Sequence, residues 1–139
     1  MEYLKEIVDY GIIGILIFMS VLSLTFFIER VLYFKSINIK DFKKRELLES
    51  SLTNNLTIIA TIASNAPYIG LLGTVLAIMQ TFIDMSKENL AATKIMASLA
   101  LALKTTAVGL FVAILAIIFY NYLTRKVEVI LARYESEKV

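Results

Sequence analysis

Residues Thr105–Thr124 read TTAVGLFVAILAIIFYNYLT, a run of 20 residues without one charge. As a helix rising 1.5 Å per residue it covers about 30 Å, the thickness of a bilayer's hydrocarbon core. The alternation of apolar and polar residues that marks a barrel strand is absent here and throughout, so the run reads as a membrane-crossing helix. Its apolar character begins near Ile95 and is interrupted only by Lys104, which sets one span at about 95–123. Upstream, Ser50–Ile83 is also uncharged and is longer than one crossing requires, so a second span occupies its later part, 61–83. Leu48, Leu52, Leu56 and Ile59 recur at helical spacing. That spacing predicts an amphipathic helix that starts near Asp41 and runs directly into the span. A third uncharged run, Tyr10–Ile28, marks a span over about 10–30. Glu2, Lys5, Glu6 and Asp9 precede it as a mixture of charges and no small-residue cleavage site follows, so it reads as a span and not as a cleavable leader.

Composition agrees with a lipid environment. Hydrophobic residues make up 58% of the 139, well above an ordinary soluble domain. The net charge of +2 is too small for a nucleic-acid binder, and the basic residues flank the apolar runs instead of forming a patch. With no His and no Cys, thiol chemistry, disulfides and a histidine base are excluded. No acid lies inside the uncharged runs, which argues against an intramembrane enzyme, and no cofactor or metal site is expected. The expected fold is an all-α membrane domain over 1–139, with three spans and helical extensions, a link over 31–60 and a tail over 124–139.

Lys and Arg set the expected orientation. Arg30, Lys35, Lys40, Lys43, Lys44 and Arg45 lie between the first two spans, and Arg125, Lys126, Arg133 and Lys138 lie in the tail. The N-terminal flank has only Lys5, and the link between spans two and three has only Lys87 and Lys94. The positive-inside rule then puts the first link and the tail in the cytoplasm and the N-terminus outside. Asp84, Lys87 and Glu88 around the outer link read as a solvated loop.

Small residues form two stripes. Ala66, Gly70, Gly73 or Thr74, and Ala77 share one side of the second span, and Ser98, Ala102, Thr105, Gly109, Ala113 and Ala116 share one side of the third. Such stripes let helices approach to backbone contact. Because a lone three-helix chain has few ways of burying both, they predict a homo-oligomer; packing within one chain is the other reading. Lys104 lies about nine residues inside its span, roughly 13 Å along the axis, where a Lys costs about 2.5 to 3.5 kcal/mol on insertion scales. It must snorkel, pair with an acid, or stand near an ion route. Thr74, Thr105 and Thr106 each either bond to their own helix backbone four residues earlier or line a hydrated path, and the backbone alternative is the simpler.

The run Ala66–Phe82, APYIGLLGTVLAIMQTF, together with Lys104–Ala116, KTTAVGLFVAILA, and Tyr120-Asn121-Tyr122, resembles the ExbB, TolQ and MotA proton-channel family, its ExbB members above all. Glu29-Arg30 at the end of the first span is also similar to the family pattern. The resemblance implies a pentameric ring in the bacterial inner membrane, surrounded by lipid, whose second and third spans line a pore. The pore would hold the single helices of an ExbD-like dimer, whose embedded aspartate carries the proton. A TonB-like protein would pass the resulting motion to outer-membrane transporters. Thr74 and Thr106 fall on the family's pore-lining threonines, and Thr105 and Lys104 stand beside them. Two departures matter: Leu101 stands where the family has a glutamate, and Leu115 where it has a proline. Either the partner's acid then suffices, or Lys104, one turn along from Leu101, pairs with it. The short link disfavours a MotA-like role, while a TolQ-like envelope motor and a non-conducting scaffold stay open as alternatives.

Overall fold

The computed structural model describes residues 2–137; Met1, Val139 and the tail's Lys138 lie outside the described residues. Among them every regular element is helical: α1 (Glu2–Ser36), a 3-10 turn (Ile39–Asp41), α2 (Arg45–Leu52), α3 (Leu56–Lys87) and α4 (Ala92–Glu137). Three helices, α1, α3 and α4, are long and apolar enough to cross a membrane, as the three uncharged runs predict. Each outruns its expected span. With 46 residues α4 is about 70 Å long, more than twice the hydrocarbon thickness, and residues 124–137 of the expected tail continue it without a break.

The helices form a three-stranded bundle in which α3 and α4 pack antiparallel and α1 lies along both, parallel to α4. Lys5 meets Ser98, Asp9 meets Lys104, and the Phe27 and Phe119 rings stack at 4.3 Å between centroids, so depth along α1 matches depth along α4. Apolar side chains on the outer surface stay exposed, Phe18 and Phe111 by more than 60%, as lipid-facing residues would be.

The link departs from the continuous helix expected to start near Asp41. A 3-10 turn, the separate helix α2 and a break precede α3. Thr53 closes α2, its N–H and its hydroxyl both donating to the Glu49 carbonyl at 2.9 and 2.8 Å. Asn55 then takes a left-handed backbone with φ 70°, which asparagine tolerates better than other side-chain-bearing residues. The interruption thus falls where the Thr53 hydroxyl takes the Glu49 carbonyl and Asn55 turns the chain through a left-handed residue. The predicted apolar face survives the break: Leu48, Leu52, Leu56 and Ile59 are all buried, in a core that also takes Leu123, Val127, Leu131 and Tyr134 of α4. Tyr134 donates its hydroxyl to the Phe42 carbonyl at 2.9 Å, and Arg45 pairs with Glu135 at 2.6 Å, so the link and the end of α4 form a second packed unit beyond the bundle.

Arg30 ties this unit to α1. Its side chain is buried, forks onto the Glu29 carboxylate and donates to the Ser51 carbonyl at 2.8 Å, and its guanidinium lies 4.3 Å from the Tyr33 ring centroid. A buried guanidinium with this many partners is the form in which an Arg tolerates removal from water.

Candidate functional site

The two stripes of small residues meet each other within one chain. Ala66, Gly70, Gly73 and Thr74 of α3 are buried, as are Ala102, Thr105, Gly109, Ala113 and Ala116 of α4, and Ala77 and Ser98 are half-buried toward the α3–α4 connection. The approach is at backbone contact: a Cβ on Gly70 would stand 2.5 Å from the Thr105 carbonyl oxygen, and one on Gly109 2.6 Å from that of Ala66. The inference from stripes to a homo-oligomer therefore fails as argued, because antiparallel packing of α3 on α4 buries both at once.

This close crossing collects three hydroxyls. Thr74 Oγ1 donates to the Ala102 carbonyl at 2.8 Å, and Thr105 Oγ1 donates to the Gly70 carbonyl at 2.9 Å, a reciprocal pair of bonds across the helices. Thr74 Oγ1 also bonds the Thr106 hydroxyl and lies 3.3 Å from that of Thr105. The expectation that each hydroxyl serves its own helix is corrected here: the bond from Thr74 back to Gly70 is 3.4 Å, longer than its bond across to α4. Gly70 and Gly109 bring the backbones near enough for short side chains to reach the facing carbonyls, and that outcompetes the local bond. Of the three, Thr74 and Thr105 are sealed between the helices, and Thr106 alone keeps a partly open face.

Lys104 points elsewhere. Two residues from Thr106, it lies about 200° around α4. It faces α1, where its Nζ stands 2.9 Å from the Asp9 carboxylate. Helical side chains lean toward the N-terminus, so Lys104 reaches toward the start of α4 while Asp9, one residue before the expected start of its span, meets it. Of the alternatives set on sequence the structure shows the pairing, and the chain supplies the acid itself. One turn nearer the start of α1, Lys5 donates to Thr81 at 3.2 Å and to Ser98, whose hydroxyls lie 2.8 Å apart. Asp9 and Lys104 border a cleft of about 510 Å³ between the three helices, lined also by Glu6, Gly73, Gln80 and Leu101. Asp84, expected in a solvated loop, is within α3 and accepts from Gln80 at 3.0 Å, and Lys87 closes the same helix.

Sequence reasoning missed Asp9 and Lys5 as members of the site. The available signal was a lone cation inside one span with an acid at the same-side end of another, and using it required knowing that α1 and α4 run side by side at matching depth.

Residues 36–136 match the MotA/TolQ/ExbB proton channel family. The chain is similar to the biopolymer transport protein ExbB of Aquifex aeolicus, 53% identical over 137 residues covering 98% of this chain and 93% of that protein. It is 45% identical to the biopolymer transport protein ExbB of Helicobacter pylori over 139 residues, 99% of this chain and 96% of that protein. Similarity to the Tol-Pal system protein TolQ of Haemophilus influenzae is 46% over 81 residues, 58% of this chain and 36% of that protein.

Proposed function

The chain belongs to the MotA/TolQ/ExbB proton channel family, and from that membership we propose that it is the proton-channel and stator subunit of an ExbB–ExbD-type complex, which uses the proton motive force to energise TonB-dependent transport at the outer membrane. As a multi-pass protein of the inner membrane it would work as a ring, a pentamer by family resemblance, around the single helices of an acidic partner. Its N-terminus would lie outside, and its link and C-terminal tail in the cytoplasm, in keeping with the distribution of Lys and Arg.

The observation that carries this reading is the hydroxyl cluster Thr74–Thr105–Thr106 at the glycine crossing of α3 and α4. It concentrates uncharged hydrogen-bonding groups at membrane depth, with Thr106 at its open edge, where a proton-carrying side chain of a partner helix would meet that hydroxyl and, through it, Thr74. The energy scale is suitable: one charge moving through 100 mV releases about 2.3 kcal/mol. A helix-to-helix hydrogen bond in a membrane is worth about 0.6 kcal/mol on average and at most about 1.7. Passage of one proton is therefore enough to break and remake such a contact. The ExbB role is favoured over a TolQ role by the near full-length similarity to ExbB proteins, against a TolQ match over 58% of the chain.

Vesicles containing the chain and a single-span acidic partner test the reading. Proton uptake driven by an imposed potential is expected, and Thr106→Val should reduce it several-fold while the oligomer keeps its mass. Assembly without any proton uptake would make the complex a non-conducting scaffold.

A further inference from the structure

Asp9 is the carboxylate that reaches deepest from the outer end of the bundle. From Ala92 to Val127 α4 has no acid, and α3 has only Asp84 in its last turn. At the depth of Lys104, an acid can therefore come only from α1.

The setting of Asp9 is that of a group water can reach and a cation holds. Its side chain is 25% exposed toward the cleft, and Lys104 Nζ lies 2.9 Å away. The cleft has room for several waters and offers them polar partners in Glu6, Gln80 and Lys5. One turn farther in, Ile12 is buried against Gly73, close to Thr105; a Cβ on Gly73 would come within 3.0 Å of Ile12 and 2.6 Å of the Thr105 hydroxyl. Asp9 thus stands one helical turn outside the threonine cluster.

We propose that Asp9 is a proton-binding site at the outer mouth of this chain, and that its occupancy opens the contact between α1 and α4 at Lys104; the proposal deepens the proton-channel reading and rests on it. A hydronium in the cleft gives a proton to the Asp9 carboxylate: one O–H bond breaks and leaves water, one forms, Asp9 becomes neutral and Lys104 keeps its charge. The charged and polar groups that line the cleft with Asp9 are Lys5 and Glu6 on its own helix, Lys104 from α4, which it contacts, and from α3 the neutral Gln80, itself bonded to Asp84. Among the described residues no second carboxylate lines the cleft at the depth of Lys104, whose side chain is already 47% exposed, so a neutral Asp9 removes the ion pair that holds α1 against α4 there and leaves the ammonium to the cleft's water. The two helix ends are then free to separate, and loss of the proton restores the pair.

The test uses the full chain in lipid nanodiscs and, with its partner, in vesicles. Infrared difference spectra on lowering the pH should show a protonated-carboxyl band that is absent in Asp9→Asn and shifted in frequency in the charge-keeping Asp9→Glu. Spin labels at the exposed positions Leu4 and Met96 should move apart in step with that band. In vesicles Asp9→Asn should lower proton uptake at least tenfold, and Asp9→Asn with Lys104→Met should stay as low. A double variant that conducts like the unmodified chain, or no Asp9 band at any pH at which that chain conducts, overturns the proposal. If the unmodified complex carries no protons the channel reading fails, and the band with the label distances still decides whether Asp9 takes a proton and releases Lys104.

Discussion

Gly70 and Gly109 show how one atom governs this contact. A methyl group on either would stand about 2.5 Å from a backbone oxygen of the facing helix, which no side-chain rotation can relieve. Gly70→Ala and Gly109→Ala should therefore each destabilise the chain by about 1 to 3 kcal/mol, the range of overpacked cores. Gly11→Ala and Gly14→Ala, where a Cβ meets nothing within 4 Å, should cost nothing. Unfolding in mixed micelles separates the two classes. Thr74→Val and Thr105→Val each remove one of the reciprocal cross-helix bonds, so each should cost about 0.6 to 1.7 kcal/mol. Because the two hydroxyls are 3.3 Å apart in one network, the double variant should deviate from the sum of the singles. The small residues of both stripes were legible from spacing alone. Their partner was not, because a stripe says that a helix approaches closely and is silent about which helix.

At the level of elements, the end of the bundle next to α2 depends on Arg30 and on the break before α3. Arg30→Ala leaves the Ser51 carbonyl without its donor and empties a buried site, and removing one member of a buried charged pair typically costs about 3 to 5 kcal/mol. Glu29 is 43% exposed, which places this site at the lower end of that range. Arg30→Lys should recover only part of the loss, since an ammonium cannot fork onto the carboxylate and reach Ser51 together; thermal unfolding of the three proteins gives the order. Asn55→Val should lower the melting temperature more than Asn55→Gly, because φ 70° strains a β-branched residue and not glycine. The residue spacing of Leu48, Leu52, Leu56 and Ile59 did reveal the buried face. It did not reveal the break, since a left-handed residue that closes one helix and opens another at similar phase leaves the apolar periodicity almost unchanged.

For the whole molecule, the unfinished surface is on the N-terminal half of α3. Thr57, Thr61, Ser64, Asn65 and Tyr68 fall along one side of the helix and are all exposed. Ser64 and Asn65 meet part of their needs by donating to the carbonyls of Ala60 and Thr61, both at 2.8 Å. A polar stripe beside lipid is costly, so a ring of copies should cover it or turn it to a hydrated centre. Cysteines at Ser64 and Tyr68 should therefore crosslink between copies or react with water-soluble thiol reagents, and the intact assembly should weigh a multiple of 15.6 kDa. A monomer whose stripe is neither crosslinked nor labelled would refute the ring.

By itself the amino-acid sequence determined the solvent, the number of spans and the residues at which helices touch. Each of these follows from local quantities: the length of an uncharged run, the size of a side chain, and its place in a period of 3.6 residues. The tertiary structure alone decided that the two small-residue stripes face each other, that the three hydroxyls bond across helices, and that Lys104 belongs to Asp9. Those are pairings between positions up to 95 residues apart, and they depend on the direction and relative depth of whole helices, which no window of the chain records.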